Sequence, residues 1–382
     1  MNSDVLIIGG GVIGLSIARE LHKKGVRRIM IVERGKAGKE ASFAAAGMLA
    51  PNAETEKIDD FYHFCAGSLK LYPDFAADLF EETGVDIELD RSGTLFAAFS
   101  DMDSASLRRR FNAQRDTGLH VALLSAGETM GFEPFISQDV RESLFFAEDW
   151  QVENRKLLAA LLKYAELNGI EVCEHTEILR LCINAGKIVG AESSAGKFIA
   201  DVTVLATGAW TSLIKLGETT VPVTVKPIRG QMIAFHPTER WLRKVIYSPR
   251  GYLVPRRDGR ILAGATVEDV GFDSSVTEDG VDRLCEAASE IAPRLAGLEI
   301  SDHWAGLRPY AADGFPVLGE IANVDNLFVA TAHYRNGILL APLTAKILAE
   351  RITKGETKEF LKIFSPQRFS TAGRLRKVKT NL

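Results

Sequence analysis

The first 33 residues constrain this chain more than any other stretch. An apolar run, Val5-Leu6-Ile7-Ile8, meets Gly9-Gly10-Gly11-Val12-Ile13-Gly14, and an amphipathic segment follows. A second apolar run, Ile29-Met30-Ile31-Val32, ends on Glu33. Strand, glycine turn, helix and strand in that order open a dinucleotide-binding unit. Gly9 permits the tight turn, Gly11 lets backbone approach a pyrophosphate, and Gly14 allows helix to pack closely on strand. The free N–H groups and the dipole at the helix start both favour phosphate. Glu33 stands 19 residues beyond Gly14. A carboxylate there accepts both hydroxyls of an adenosine ribose and repels a 2′-phosphate, which argues against NADP.

The chain is 382 residues long, enough for two or three domains. Its formal net charge of -4 gives no electrostatic case for nucleic acid or an anionic membrane as partner. Cys65, Cys173, Cys182 and Cys285 have no zinc or redox spacing and read as mostly buried thiols of a reducing compartment. Residues 5–18 lack the basic leader and cleavage pattern of a signal peptide, and no run approaches the length of a membrane span. The expectation is a soluble, cytoplasmic protein.

Helical spacing predicts a first helix over 12–24, closed by Gly25. The small residues 41–49 suggest backbone lying against something flat. Residues 52–60 read as an exposed loop, for which a lid is one open role that the sequence supports only through exposure, and a helix over 61–79 follows. A charged helix is expected near 105–115. Helix 157–167 and strands 169–172, 177–183 and 200–208 form a second nucleotide-domain segment. Residues 221–266 turn to β structure, with runs at 221–225, 231–235, 252–255 and 261–265 divided by Pro, Gly and charged turns. A helix over 281–291, a strand over 326–331 and a last helix over 341–352 complete the pattern. The end of the chain carries Arg368, Arg374, Arg376, Lys377 and Lys379 and reads as a solvated, frayed terminus.

Strand-and-turn segments near residues 9, 208 and 337 imply a discontinuous nucleotide domain. The expected fold class is α/β: a Rossmann-like FAD-binding domain of the glutathione-reductase type with an inserted antiparallel-sheet substrate domain. Residues 1–84, 150–218 and 319–365 are assigned to the first, 85–149 and 219–318 to the second, and 366–382 to a flexible basic tail. A nucleotide domain that reaches the end of the chain argues for FAD rather than NAD.

Further segments line up in order with one family. They are Glu33-Arg34, residues 42–49, Trp304-Ala305-Gly306-Leu307-Arg308-Pro309, Asp313-Gly314-Phe315-Pro316-Val317-Leu318-Gly319 and residues 333–342. Over residues 3–355 the chain resembles the D-amino-acid oxidase family of flavoproteins, and within it the glycine-oxidising branch of thiamine biosynthesis. The resemblance implies that Gly9, Gly11, Val12, Ile13, Gly14, Glu33 and Arg34 hold the pyrophosphate and ribose. Ala41, Ser42, Ala46, Gly47 and Met48 would line the flavin, with a backbone contact near Ile178 to the adenine. His333, Tyr334, Arg335, Asn336, Gly337, Ile338 and Leu339 would wrap the flavin ring. Arg308 matches the arginine that grips the substrate carboxylate, and Arg335 and Tyr252 match further positions of the substrate pocket.

The residue types agree with those roles without requiring them. A guanidinium pairs a carboxylate bidentately, although most arginines serve surface ion pairs. Arg335 could equally bond the flavin or a backbone carbonyl, Tyr252 could be a core tyrosine, and His333 is assigned structural hydrogen bonds rather than proton transfer. The other histidines show no metal-ligand spacing, no G-x-S-x-G elbow is present, and no metal is expected. The implied reaction is FAD-dependent oxidation of glycine, and of small D-amino acids or sarcosine, by hydride transfer to flavin N5. It yields an oxo acid, ammonia and, from oxygen, hydrogen peroxide, with no catalytic group beyond the flavin. Monomeric sarcosine oxidases, a related alternative, attach flavin through a cysteine near the carboxylate-binding segment; no cysteine follows Cys285 here, so the resemblance implies non-covalent FAD. A dehydrogenase with another acceptor and a non-catalytic assembly flavoprotein stay open. The resemblance also implies a homo-oligomer.

Overall fold

The strand Asn2–Ile8 shows why this chain builds layers. Val5 and Ile7 point into one core, while Leu6 and Ile8 point into another on the opposite face. A strand buried on both faces needs cover on both, which is the condition of a parallel sheet. In the computed structural model, which describes residues 1–55 and 57–369, parallel strands run Glu171–Cys173, Ile29–Val32, Asn2–Ile8, Gly196–Leu205 and Leu327–Thr331 across the sheet. Helices Val12–Lys23, Asn154–Leu167 and Gly337–Lys354 cover one face. The antiparallel ribbon Ile178–Asn184 and Lys187–Ser193 contributes Ile178, Leu181, Ile188 and Ala191 to the core on the other.

A second sheet runs in the order Ile300–Tyr310, Lys226–Phe235, Ile261–Gly264, Gly251–Pro255, Val245–Ser248, Thr94–Ala98, Glu142–Phe146 and Ala122–Ser125. It is antiparallel except where Val245–Ser248 pairs in parallel with Thr94–Ala98. The architecture is therefore the expected α/β class, a flavoprotein-type parallel sheet joined to a largely antiparallel one.

Several local expectations change for identifiable reasons. The helix expected over 61–79 is two helices, Asp60–Leu69 and Tyr72–Thr83, with Pro73 at the start of the second. Ser68 and Tyr72, on either side of the break, both serve the last long helix, which begins at Gly337 rather than 341 and carries Pro342 inside it. Proline cannot donate to the carbonyl of Ile338. The buried Tyr72 hydroxyl donates to that carbonyl at 2.5 Å, and the Ser68 hydroxyl donates to Leu339 O at 2.6 Å and accepts from Leu343 N at 3.3 Å. The run 221–225 is not a strand: Val221, Val223 and Val225 are buried in irregular chain whose carbonyls at 223 and 225 bind Ser212 Oγ. Residues 52 and 53 are buried in a short turn, Pro51–Glu54, not exposed in a lid. Among the cysteines only Cys65 is buried; the other three are partly exposed. Pro366–Phe369 is a 3-10 turn in which Arg368 binds Asp313 at 2.7 Å, so this first part of the basic tail is anchored. Arg374, Arg376, Lys377 and Lys379 lie outside the described residues.

Tyr72→Phe should cost about 1–3 kcal/mol by stranding the Ile338 carbonyl. In a Pro342→Ala background, where residue 342 regains its N–H, the same change should cost much less. Chemical denaturation of the four proteins in this cycle checks it, and additive effects would rule out the compensation.

His333 is buried, its Nε2 sits 3.2 Å from Thr344 Oγ1, and burial pushes its pKa down to about 3. Below about pH 6.5 the unfolded chain takes up a proton that the folded site refuses, so stability is lost as pH falls from 6.5 toward 3. Glu133 and Asp149, pushed up to about 7 by burial, act in the opposite sense. They are common to both proteins when wild type is compared with His333→Gln. Between pH 7 and pH 5 the wild type should lose about 2 kcal/mol more than the variant. Parallel pH dependences would show that the imidazole is protonated when folded.

Candidate active site

The helix Val12–Lys23 starts at Gly11 with no side-chain cap and no acidic residue in its first turn, which leaves its positive end uncompensated. Gly9 has φ +111°, and a Cβ there would lie 2.3 Å from Ala206 O. A Cβ on Gly14 would lie 2.0 Å from Gly9 O, so helix and turn touch through backbone alone. Glu33 is held at the end of its strand by N–H donors from Gly10 at 2.8 Å and Gly35 at 3.0 Å. Ser42 Oγ accepts from Val12 N at 3.0 Å. Arg34 pairs with Glu40 at 2.8 Å and lies 3.7 Å over the Trp210 ring.

These residues face one long cavity. Gly9, Gly11, Val12, Ile13, Glu33, Arg34, Ala41, Ser42 and Ile178 line it from the amino-terminal side, and His333, Tyr334, Arg335, Gly337 and Ile338 from the carboxy-terminal side. Gly14, Asn336 and Leu339 are not on its wall; Leu339 is fully buried in the core beneath, and its carbonyl is taken by Ser68. A glycine turn, an uncompensated helix N-terminus, a terminal carboxylate and alanine-rich walls suit a pyrophosphate, a ribose and a flat ring in turn, so the residues fit FAD.

A second, narrower cavity shares Ala41, Ala45, Tyr334, Arg335 and Ile338 with the first, so the two adjoin across these residues. Ala46, Gly47, Met48, Tyr252 and Arg308 line it together with Glu54, Gly230 and Gly306. Arg308 donates to Thr266 O at 3.0 Å and to Arg229 O at 3.4 Å. It has no ion pair among the described residues, and burial draws its pKa down from the usual arginine range. Tyr252 OH is 3.2 Å from Met232 Sδ, and burial pushes its phenol up while the Arg308 charge opposes this. Arg335, with 40% of its side chain exposed, pairs with Glu54 at 3.3 Å, and that charge raises its pKa.

The strand interior explains how Arg308 reaches the cavity. Gly230 and Gly306 face each other across the Lys226–Phe235 and Ile300–Tyr310 pair. A Cβ on Gly230 would lie 2.1–2.2 Å from the Arg308 guanidinium, and one on Gly306 would lie 2.5 Å from Ala44 Cβ. One glycine makes room for the arginine, and the other lets the small-residue tract lie against the same strands. The carbonyls of that tract are accounted for by residues sequence reasoning passed over. Asn154 Nδ2 donates to Ser42 O and Phe43 O, Trp304 Nε1 to Ala44 O, and Arg256 Nη2 to Ala46 O, all within 3.0 Å. Glycines inside a strand mark close approach and could have flagged residues 230 and 306. Nothing in the sequence marked Glu54, Asn154 or Arg256.

Comparison with known proteins follows the same outline. The chain is 32% identical to the glycine oxidase of Pseudomonas aeruginosa, covering 98% of this chain and 100% of that one. It is 35% identical to the bifunctional protein ThiO/ThiG of Synechocystis sp., but spans only 54% of that longer protein's length. The crystal structure of glycine oxidase from Geobacillus kaustophilus superposes with a TM-score of 0.90 at 34% identity, covering 96% of this chain and 99% of that one. No helix of the described residues is long and apolar enough to cross a membrane. The model of the FAD dependent oxidoreductase family matches residues 4–351, and the chain belongs to that family.

Proposed function

We propose that this protein is an amino-acid oxidase converting glycine, water and oxygen to glyoxylate, ammonia and hydrogen peroxide. Small D-amino acids and sarcosine are further substrates, and the glycine reaction serves thiamine thiazole synthesis. The observation that carries the reading is Arg308: a half-buried guanidinium with no acidic partner among the described residues, on the wall of a small cavity that adjoins the flavin cavity. A partly desolvated charge is costly when unpaired, and a substrate carboxylate would compensate it. The similarity to glycine oxidases and to ThiO/ThiG supports the choice of glycine and of the pathway.

FAD, when bound, supplies the acceptor for the hydride leaving the substrate Cα and passes the electrons on to oxygen. The protein's part is placement. Arg308, its planar fork steadied by two backbone carbonyls, fixes the carboxylate and so the direction of the Cα–H. Tyr252 bounds the pocket beside it, and Gly230 keeps the arginine's path clear. The pinned carbonyls of residues 42–46 keep the flavin tract and the substrate strands in one register.

Oxygen uptake by the holoenzyme on adding glycine, with D-alanine and sarcosine as comparators, tests the reading. Uptake is expected with glycine. Dye reduction by amino acid without oxygen uptake would instead assign a dehydrogenase, and neither would overturn the proposal. Arg308→Ala should raise the KM for glycine by roughly 100-fold while flavin content stays unchanged. Gly230→Ala should raise it roughly tenfold by displacing the guanidinium. An unchanged KM in Arg308→Ala would contradict the assignment.

A further inference from the structure

The second cavity contains one carboxylate, Glu54, and an unusual amount of structure is devoted to holding it. Its Oε1 accepts from Tyr247 OH at 2.7 Å and from Arg335 Nη2 at 3.3 Å. Oε2 takes no hydrogen bond among the described residues, although only 17% of the side chain is exposed. Glu54 lines the same small cavity as Arg308 and Tyr252, so it faces the proposed carboxylate site. An α-amino acid presents its two charged groups two bonds apart. A pocket that binds one through a cation is completed by an acceptor for the other.

The turn carrying Glu54 is gripped from outside the cavity. Asp149, fully buried, accepts from Asn52 N at 3.1 Å, Asn52 Nδ2 at 2.7 Å and Ala53 N at 2.6 Å. Gln114 Nε2 donates to the carbonyls of Asn52 at 2.9 Å and Thr55 at 3.0 Å, and Arg110 donates to those of residues 52, 53 and 55. Tyr62 OH closes the cage on Asn52 Oδ1 at 2.9 Å. Burying a carboxylate and an amide merely to shape a four-residue turn is expensive. The turn's one cavity-facing product is the position of Glu54.

We propose that Glu54 recognises the substrate's amino group by accepting its N–H, and that Asp149 is the positioning residue that holds Glu54 at the cavity. The proposal rests on the amino-acid oxidase reading above and adds the group that separates amino acids from plain carboxylates. Arg308 serves both kinds of ligand; Glu54 serves only the amine.

The test compares glycine with acetate, which lacks the amine, on the holoenzyme. Acetate binding is read from the perturbation of the flavin spectrum, and glycine from its KM and kcat. Glu54→Gln should raise the KM for glycine at least tenfold and leave acetate affinity within threefold. Glu54→Asp, which keeps the charge, should fall between Gln and wild type. Asp149→Asn should raise the KM three- to tenfold with kcat within twofold and acetate affinity unchanged. Gln114→Met loosens the same turn and replaces Asp149→Asn if that variant does not fold. An unchanged glycine KM in Glu54→Gln would overturn the proposal. Equal losses for glycine and acetate would also overturn it, because Glu54 would then act only through the placement of Arg335. If the wild type oxidises no amino acid, the oxidase reading fails separately, and the spectral binding of glycine against acetate still decides the role of Glu54.

Discussion

The contact of the first helix with the first glycine turn, backbone against backbone at Gly14 and Gly9, sets the position of everything that follows. It brings a helix N-terminus without a capping side chain of its own to the edge of the parallel sheet. Ser42 then reaches Val12 N, Glu33 reaches Gly10 N, and the loop after the strand Gly196–Leu205 closes over Gly9 through Ala206. A side chain at either glycine would separate the helix from the strand and open each of these contacts together. The carboxy-terminal segment completes the cavity only because the helix Gly337–Lys354 packs on the first helix, with Tyr72 and Ser68 supplying the hydrogen bonds that Pro342 takes away.

The second cavity is organised by charge rather than by volume. It holds two guanidinium groups and one carboxylate, and they differ in kind. Arg335 is paired with Glu54 and open to the cavity, so its charge is already balanced. Arg308 is half-buried, donates to two backbone carbonyls and has no acidic partner among the described residues. An ionic ligand gains most at the unpaired group, where it relieves a desolvation cost as well as adding an attraction. This difference favours Arg308 over its neighbour as the group proposed to orient a carboxylate.

Much of the fold was legible in the sequence because the relevant signals are local. The apolar runs at residues 5–8 and near 205 and 329 each report a strand buried on two faces, and the glycine spacing of 9–14 reports the turn that follows the first of them. Much of the wall of the two cavities was also legible, since residues 41–48 and 333–338 are contiguous stretches with family-specific spelling, although residues 46–48 line the second cavity rather than the first and Asn336 lines neither. What escaped was non-local. The break at 70–71 exists to serve a proline about 270 residues away. The carbonyls of residues 42–46 are satisfied from positions 154, 256 and 304. Glu54 read as part of an exposed loop because its burial depends on Asp149, Arg110 and Gln114, none of which is near it in sequence. Gly230 escaped as well: the expected run began at 231, whereas the strand begins at Lys226 and takes Gly230 into its interior, beside the arginine it accommodates.

The most direct measurement is anaerobic mixing of the holoenzyme with glycine, following the yellow colour of the oxidised flavin. It isolates the step for which the two adjoining cavities and the unpaired Arg308 are arranged, without dependence on the electron acceptor. Bleaching that saturates with glycine concentration, and that shifts to far higher concentration in Arg308→Ala, is the expected result. A flavin that stays oxidised with glycine and every small amino acid tried would contradict the central claim that this site oxidises an amino acid.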